Sequence, residues 1–361
     1  MKHNFWTVKL RTLMFYSMIL LLIFLLLFHS KDAMDAAKQA LVLCYNTVIP
    51  SLFPFFILSG LLTAGGFVNL LSRIFSPVMK PVFNISGSGA LPFMIGIISG
   101  YPMGAKITSE LFSDGILSKS EAQRLLPFSN NSGPLFIIGA VGTGMLKNPH
   151  LGIFLYAVHV FSSVLVGICF RWYQTKNISR KKSSGCQNAA KLRTSFSSVV
   201  SSSIDTMLLI CGFIVFFAAL SASISPLLDI CLPKPLPNLI KPLLEVTGGA
   251  NLVVQSGLPQ RMLLTVLSAI IGFGGICVML QVSGIAGAVA LSMKSYVFGK
   301  ILHGIFSGLI TFFCFPIIST QKDSLLFFTM PANIPVLPIL YGITILGVLA
   351  VICKNYIYGK T

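Results

Sequence analysis

The sequence predicts an all-α, polytopic membrane protein of about eight transmembrane helices, with re-entrant or broken segments arranged in two inverted repeats. Three observations carry this. The chain is 55% hydrophobic and only 10% charged, where a soluble chain carries about 25% charged residues. Apolar runs free of acidic and basic residues recur at 12–29, 39–72, 81–105, 125–146, 148–170, 206–228, 262–293, 301–321 and 324–353. Most are long enough for a helix to cross a bilayer, which takes roughly 20 residues. They lack the alternation of a transmembrane barrel strand. Lastly, glycine-rich interruptions occupy matching places in two halves, at 99–115 and 245–259.

Taken in order, residues 1–30 have a basic start followed by a long, bulky apolar stretch with no small-residue cleavage site, and so predict an uncleaved first transmembrane helix. Lys2, Lys9 and Arg11 place the N-terminus in the cytoplasm. Residues 31–40 then lie outside, and the first repeat spans 40–173. Within it, 67–84 places Arg73 and Lys80 on an otherwise apolar helix and predicts an amphipathic, interfacial element. A helix pair follows at 118–146, then a clean span to Phe170. Residues 174–195 overlap a hydrophilic stretch, 171–193, that holds seven Lys/Arg and no acid, and predict a basic cytoplasmic linker against anionic headgroups. The second repeat spans 196–320 and a C-terminal transmembrane helix 330–353. Lys354 and Lys360 keep the C-terminus inside.

The formal net charge of +17, with nine acids, follows the positive-inside bias. No hydrophilic segment is long enough to fold a nucleic-acid-binding face, so nucleic acid is excluded as a partner and membrane lipid is expected. Self-association into a homo-oligomer is compatible with the sequence. The eight cysteines are scattered, mostly within apolar runs, as buried small hydrophobes rather than metal ligands or a disulfide frame. No Walker A loop, zinc-protease motif or nucleophile elbow is present, so neither an enzyme nor a bound cofactor is expected.

The interruptions are where chemistry is expected. Unpaired backbone survives at membrane depth only when buried in protein or lining a cavity. Gly100, Pro102 and Gly104 are predicted to end one helix and start another; Thr247, Gly248 and Gly249 are predicted to do the same in the second half. Each break would aim free backbone groups at a small polar solute, and glycine lets the solute approach closely. Lys106 and Glu110 stand four residues apart and can pair on one helical face, or form an edge salt bridge. Glu245 is either a solute ligand or the cap of the following turn. Asp205, after three serines, is expected to cap a helix start. Asn130, Asn131, Ser132 and Gly133 lie between two apolar segments, and the Asn side chains both donate and accept. Asn251 and Gln255 complete the candidate set, with Gln281 a weaker member. His159 and His303 read as packing residues.

The two halves align through "GAKITSELFSDG" with "GANLVVQSG", and "SGPLFIIG" with "FGGICVML". The first enters from outside and the second from inside, which makes the repeat inverted. Secondary transporters are built this way, with midplane sites on discontinuous helices.

The stretch 99–145, together with "EVTGGANL" and "GFGGICVMLQ", resembles the signature of the YlbJ family of sporulation integral membrane proteins of endospore-forming Firmicutes. Its glycine-rich blocks are similar to the nucleoside-recognition Gate domain, shared with concentrative nucleoside transporters and the membrane part of ferrous-iron transporters. The resemblance implies two Gate-like repeats and a cell-membrane protein needed in spore formation. It implies a transporter or channel for a small polar solute, whether nucleoside-like, an anion or an ion. The alternative is a non-transporting scaffold or regulator of spore envelope (cortex) assembly.

Overall fold

The computed structural model describes residues 2–65, 67–173, 196–233 and 236–320. The linker expected at 174–195 and the helix expected at 330–353 lie outside them. Met1–Phe313 form one compact unit, which is the one described below; Cys314–Thr361 form another. Every regular element among the described residues is helical.

Helix α1 (Lys2–Phe28) breaks at His29 and continues, bent by 88°, as α2 (Ser30–Leu43). The stretch expected outside the bilayer is therefore helix. A π-turn, Cys44–Val48, leads into α3 (Ile49–Ala64), which carries Pro50 at its start and Pro54 inside. Helix α4 (Phe67–Phe83) is amphipathic as predicted: Val68, Leu71, Met79 and Phe83 are buried, while Arg73 and Lys80 are exposed.

Two pairs of short helices follow. Helices α5 (Ala90–Ser99) and α6 (Met103–Ser113) meet at the first glycine break. Helix α7 (Lys119–Ser129) meets a π-helix (Leu135–Met145) across Asn130–Pro134. Helix α8 (Pro149–Phe170) starts on Asn148, whose Oδ1 accepts from the N–H groups of His150 and Leu151. In the second half, α9 (Phe196–Cys231) is followed by α10 (Leu236–Leu244) and α11 (Val246–Val254), and then by α12 (Gln260–Phe273) and α13 (Gly275–Ala288). Helix α14 begins at Met293.

Four helical stretches are long and apolar enough to cross a membrane: Pro149–Phe170, Phe196–Cys231, Gln260–Ala288 and Met293–Phe315. Counting each bent pair, α1–α2 and α3–α4, as one span raises the number to six among the described residues. The protein is thus a multi-pass membrane protein. Its outer surface fits: Leu13, Leu20, Leu27 and Phe28 on α1 and Leu208 on α9 are exposed, as side chains facing lipid are.

Asp205 corrects the sequence reading. It lies in the interior of α9, which starts nine residues earlier at Phe196, and so caps nothing. Ser203 before it bonds back along the helix, its Oγ donating to the Val199 carbonyl at 2.8 Å.

One core joins Phe83 of α4, Phe93 of α5 and Phe128 of α7, with ring centroids 4.8 Å apart for Phe83–Phe128 and 5.3 Å for Phe93–Phe128. A second joins the halves: Ala105, Ala122 and Leu126 pack with Val278, Val282 and Ala286. Lipid supplies no hydrophobic drive between helices, so close van der Waals packing of small side chains carries this interface. Two of the contacts between the halves involve the short elements beside the breaks. Helix α6 touches α13, and α11 touches the π-helix.

Candidate functional site

The first break is built as the residues dictate. Gly100 has φ +89°, a left-handed conformation that side chains disfavour, and a Cβ there would lie 2.8 Å from the Gly133 nitrogen. Gly104 sits directly against the Ser129 carbonyl, where a Cβ has no room. Pro102 is buried and precedes α6, after a cis Tyr101–Pro102 bond. Two non-helical segments of the first half, 100–102 and 130–133, therefore lie in backbone contact.

The second break falls earlier than predicted. Of 245–249 only Glu245 is non-helical; Thr247, Gly248 and Gly249 lie in the first turns of α11. Glu245 Oε1 accepts from Thr247 N–H at 2.7 Å and Oε2 from Gly248 N–H at 2.6 Å. This is the capping alternative. The carboxylate, rather than a glycine, starts the helix and satisfies its first free donors. Gly249 is small for packing, since a Cβ would run into Pro242 of α10. A Cβ on Gly275 would lie 3.4 Å from the Leu244 carbonyl oxygen and the Val246 nitrogen. The start of α13 therefore approaches this break as Gly133 approaches the first.

The two breaks meet around one cavity of about 200 Å³. Ser99, Gly100, Tyr101, Ser132 and Gly133 line it from the first half; Glu245, Thr247, Cys277 and Gln281 line it from the second. Tyr101 reaches across, with its ring 3.6 Å from where a Gly274 Cβ would stand. Leu52, Ile210, Ile214 and Val278 close the remaining walls. A concave, mostly apolar chamber with a few convergent polar groups is the usual form of a small-molecule site.

Two further crevices adjoin α9. One of about 510 Å³ is lined by Lys241, Glu245, Gly248, Gly249 and Asn251 against Ser221 and Ser225 of α9. It shares Glu245 and Thr247 with the central chamber. The other, about 460 Å³, holds Lys106, Glu110 and Asp114 against Ser198, Ser202 and Thr206. There Lys106 Nζ stands 3.9 Å from Glu110 Oε1 and donates to the Ser202 carbonyl at 3.3 Å. The predicted pair forms, outside the central chamber.

The other candidates separate. Asn130 Nδ2 donates to the Tyr296 hydroxyl at 2.9 Å, and Asn131 Nδ2 to the Phe128 carbonyl at 2.7 Å. Both Asn side chains are fully buried, and neither Oδ1 has a hydrogen-bond partner among the described residues. Ser132 N–H donates to His159 Nε2 at 3.0 Å. Gln255 is exposed and donates to Asn251 Oδ1 at 3.3 Å, so it belongs to no chamber described here. The sequence reading missed Ser99, Tyr101 and Cys277. Tyr101 carried a usable signal, since it is the one aromatic residue between the two glycines of the break.

No group of three or more His, Cys, Asp or Glu able to hold a metal occurs among the described residues. No family model matches the sequence, and no solved structure does. The chain is 31% identical over 332 residues to the sporulation integral membrane protein YlbJ of Bacillus subtilis (strain 168), covering 83% of this chain and 81% of that protein.

Proposed function

We propose a transport role from this premise: the chain belongs to the YlbJ family of sporulation integral membrane proteins. In this reading it is a Gate-type transporter or channel that moves a small polar solute, a nucleoside-like molecule, an anion or an ion, across a membrane of the sporulating cell. Its termini are cytoplasmic, and residues 40–173 and 196–320 are its two inverted, Gate-like repeats.

One observation carries the reading. The three chambers follow one another along α9: Ser198–Thr206 faces the first, Ile210 and Ile214 the second, and Ile214–Ser225 the third. At about 1.5 Å per residue this covers roughly 40 Å, the thickness of a bilayer with its headgroups. The smallest of the three chambers lies in the middle, where both breaks meet. In the alignment of the two halves, the contacts of α6 on α13 and of α11 on the π-helix correspond, and they support a pseudo-twofold relation between the repeats. Glu245, which lines both the central and the third chamber, is the candidate gate between them.

The test is uptake into liposomes holding the purified protein, with uridine, small dicarboxylates and divalent cations as separate probes. A probe that enters with wild-type protein is expected to enter at least about tenfold more slowly with Gln281→Leu, a loss equal to about 1.4 kcal/mol of polar contact. Glu245→Ala should act similarly, with folding checked by size-exclusion elution. Failure of every probe to enter, or entry unchanged in both variants, overturns the reading.

A further inference from the structure

Away from the central chamber, α14 carries a polar stripe that no transport role has yet used. Tyr296, Lys300, His303, Ser307 and Thr311 are spaced by three or four residues and share one face. All five are 0% exposed. A lysine buried on an apolar, membrane-crossing helix is costly unless it is paired or functional. Lys300 has no carboxylate partner among the described residues; its contacts are His303 Nδ1 at 3.3 Å and the Tyr296 ring at 5.9 Å.

Among the described residues, the contacts that neighbouring elements make with this stripe involve no acid. Helix α8 presents His159, whose ring centroid lies 4.4 Å from that of His303. Asn130, just past the end of α7, donates to the Tyr296 hydroxyl, and Pro127 of α7 packs on Gly299. Helix α12 presents Ser268, whose Oγ donates to the Ser307 carbonyl at 3.2 Å. Its only charged group toward α14 is Arg261, near the far end of the stripe, where Nε donates to the Phe312 carbonyl at 2.9 Å. Three nitrogen bases thus touch one another in a space with no counter-ion, and such a space tolerates at most one added charge.

The hydrogen bonds fix how that charge is held. His159 Nε2 accepts from Ser132 N–H, so the proton of neutral His159 sits on Nδ1. His303 Nε2 faces the His159 carbonyl at 3.0 Å and must carry a proton, which leaves Nδ1 facing Lys300. One proton then has two places along a single hydrogen bond. It sits on Lys300 as an ammonium donating to Nδ1, or on His303 as an imidazolium donating to a neutral amine. Beyond them the buried hydroxyls of Ser307 and Thr311, like His159 Nδ1 and Ser162 Oγ, have no partner among the described residues. Polar atoms left this way are suited to passing a proton along α14.

We propose that Lys300, His303 and His159 form a site that binds and releases one exchangeable proton. As the coupling site of a transporter it rests on the reading above; as a proton site it does not. Through Ser132 and Asn130 it is tied to the first half's broken loop, so proton occupancy and the chamber's loop can influence each other.

The test is nuclear magnetic resonance of histidine labelled with heavy nitrogen, in nanodiscs without solute, from about pH 5 to about pH 8. His159→Gln and His303→Gln assign the signals among the five histidines. The expected result is that the His303 signal titrates, and that His159 responds in the same step. Lys300→Met should move that midpoint by at least about one pH unit. Lys300→Arg, whose guanidinium keeps its proton, should leave both rings neutral throughout. Signals that ignore both Lys300 variants, or two rings that titrate independently, overturn the proposal. Because no solute is present, failure of transport in liposomes leaves this result standing, and failure here leaves transport standing.

Discussion

Individual residues decide the local geometry here more than overall hydropathy does. Glu121 shows how, in a position outside the long apolar helices. Its Oε2 accepts from Ser118 N–H at 2.9 Å and from Ser118 Oγ at 2.7 Å, while Oε1 accepts from Ser86 N–H at 2.8 Å. Burial alone would push this carboxyl up, but the hydrogen bonds from Ser118 and Ser86 outweigh it and hold it below the usual value. A depressed carboxyl stabilises the fold above its unfolded value, and that stability is lost as pH falls through the folded one. Thermal unfolding of the wild type should therefore weaken below about pH 4 more steeply than that of Glu121→Gln. Near neutral pH, Ser118→Ala should cost about 1 kcal/mol. Parallel pH curves for wild type and Glu121→Gln would contradict this. At the same scale, Gly100 was legible in the sequence because only glycine accepts its backbone conformation without strain. Lys300 was not: it borders an apolar run beginning at Ile301 and looks like a helix edge. Its burial comes from packing, with Pro127 seated on Gly299.

At the scale of elements, the breaks were legible and their limits were not. Glycine and proline announce an interruption, but Glu245 rather than Gly248 opens α11, because a capping carboxylate and the contact of Gly249 with Pro242 permit a helix through the glycines. The end of α1 was legible from the charges that follow residue 30, but the continuation of the chain as helix α2 at an 88° bend was not. Helix α13 is held to α6 by alanines, and Ala105 and Ala286 are both 0% exposed. Ala286→Leu should overpack this seam and cost about 1–3 kcal/mol, read as a lower unfolding temperature in detergent. An equally stable variant would mean that the seam is looser than the structure places it.

For the whole molecule, the all-helical, multi-pass class was plain from composition. The meeting of the two breaks at one chamber was not, because it depends on which faces of α9 and α13 turn inward. If the chambers form a route along α9, then in a cysteine-free background Ser202→Cys and Ser221→Cys should react with charged thiol reagents added from opposite sides of the membrane. Ile214→Cys should react more slowly from either side. Labelling of Ser202→Cys and Ser221→Cys from the same side would rule the route out.

The seam of Ala105, Ala122 and Leu126 against Val278, Val282 and Ala286 is formed between the halves rather than within either. Each half thus leaves a ready surface shaped for the other, and covalent continuity adds little to their recognition. Severed within 174–195 and produced as two polypeptides in one cell, they should find each other and co-purify through a tag on just one. The same polypeptides made in separate cells and mixed after extraction should assemble far less, since each would first have to shield its alanine-rich face with detergent.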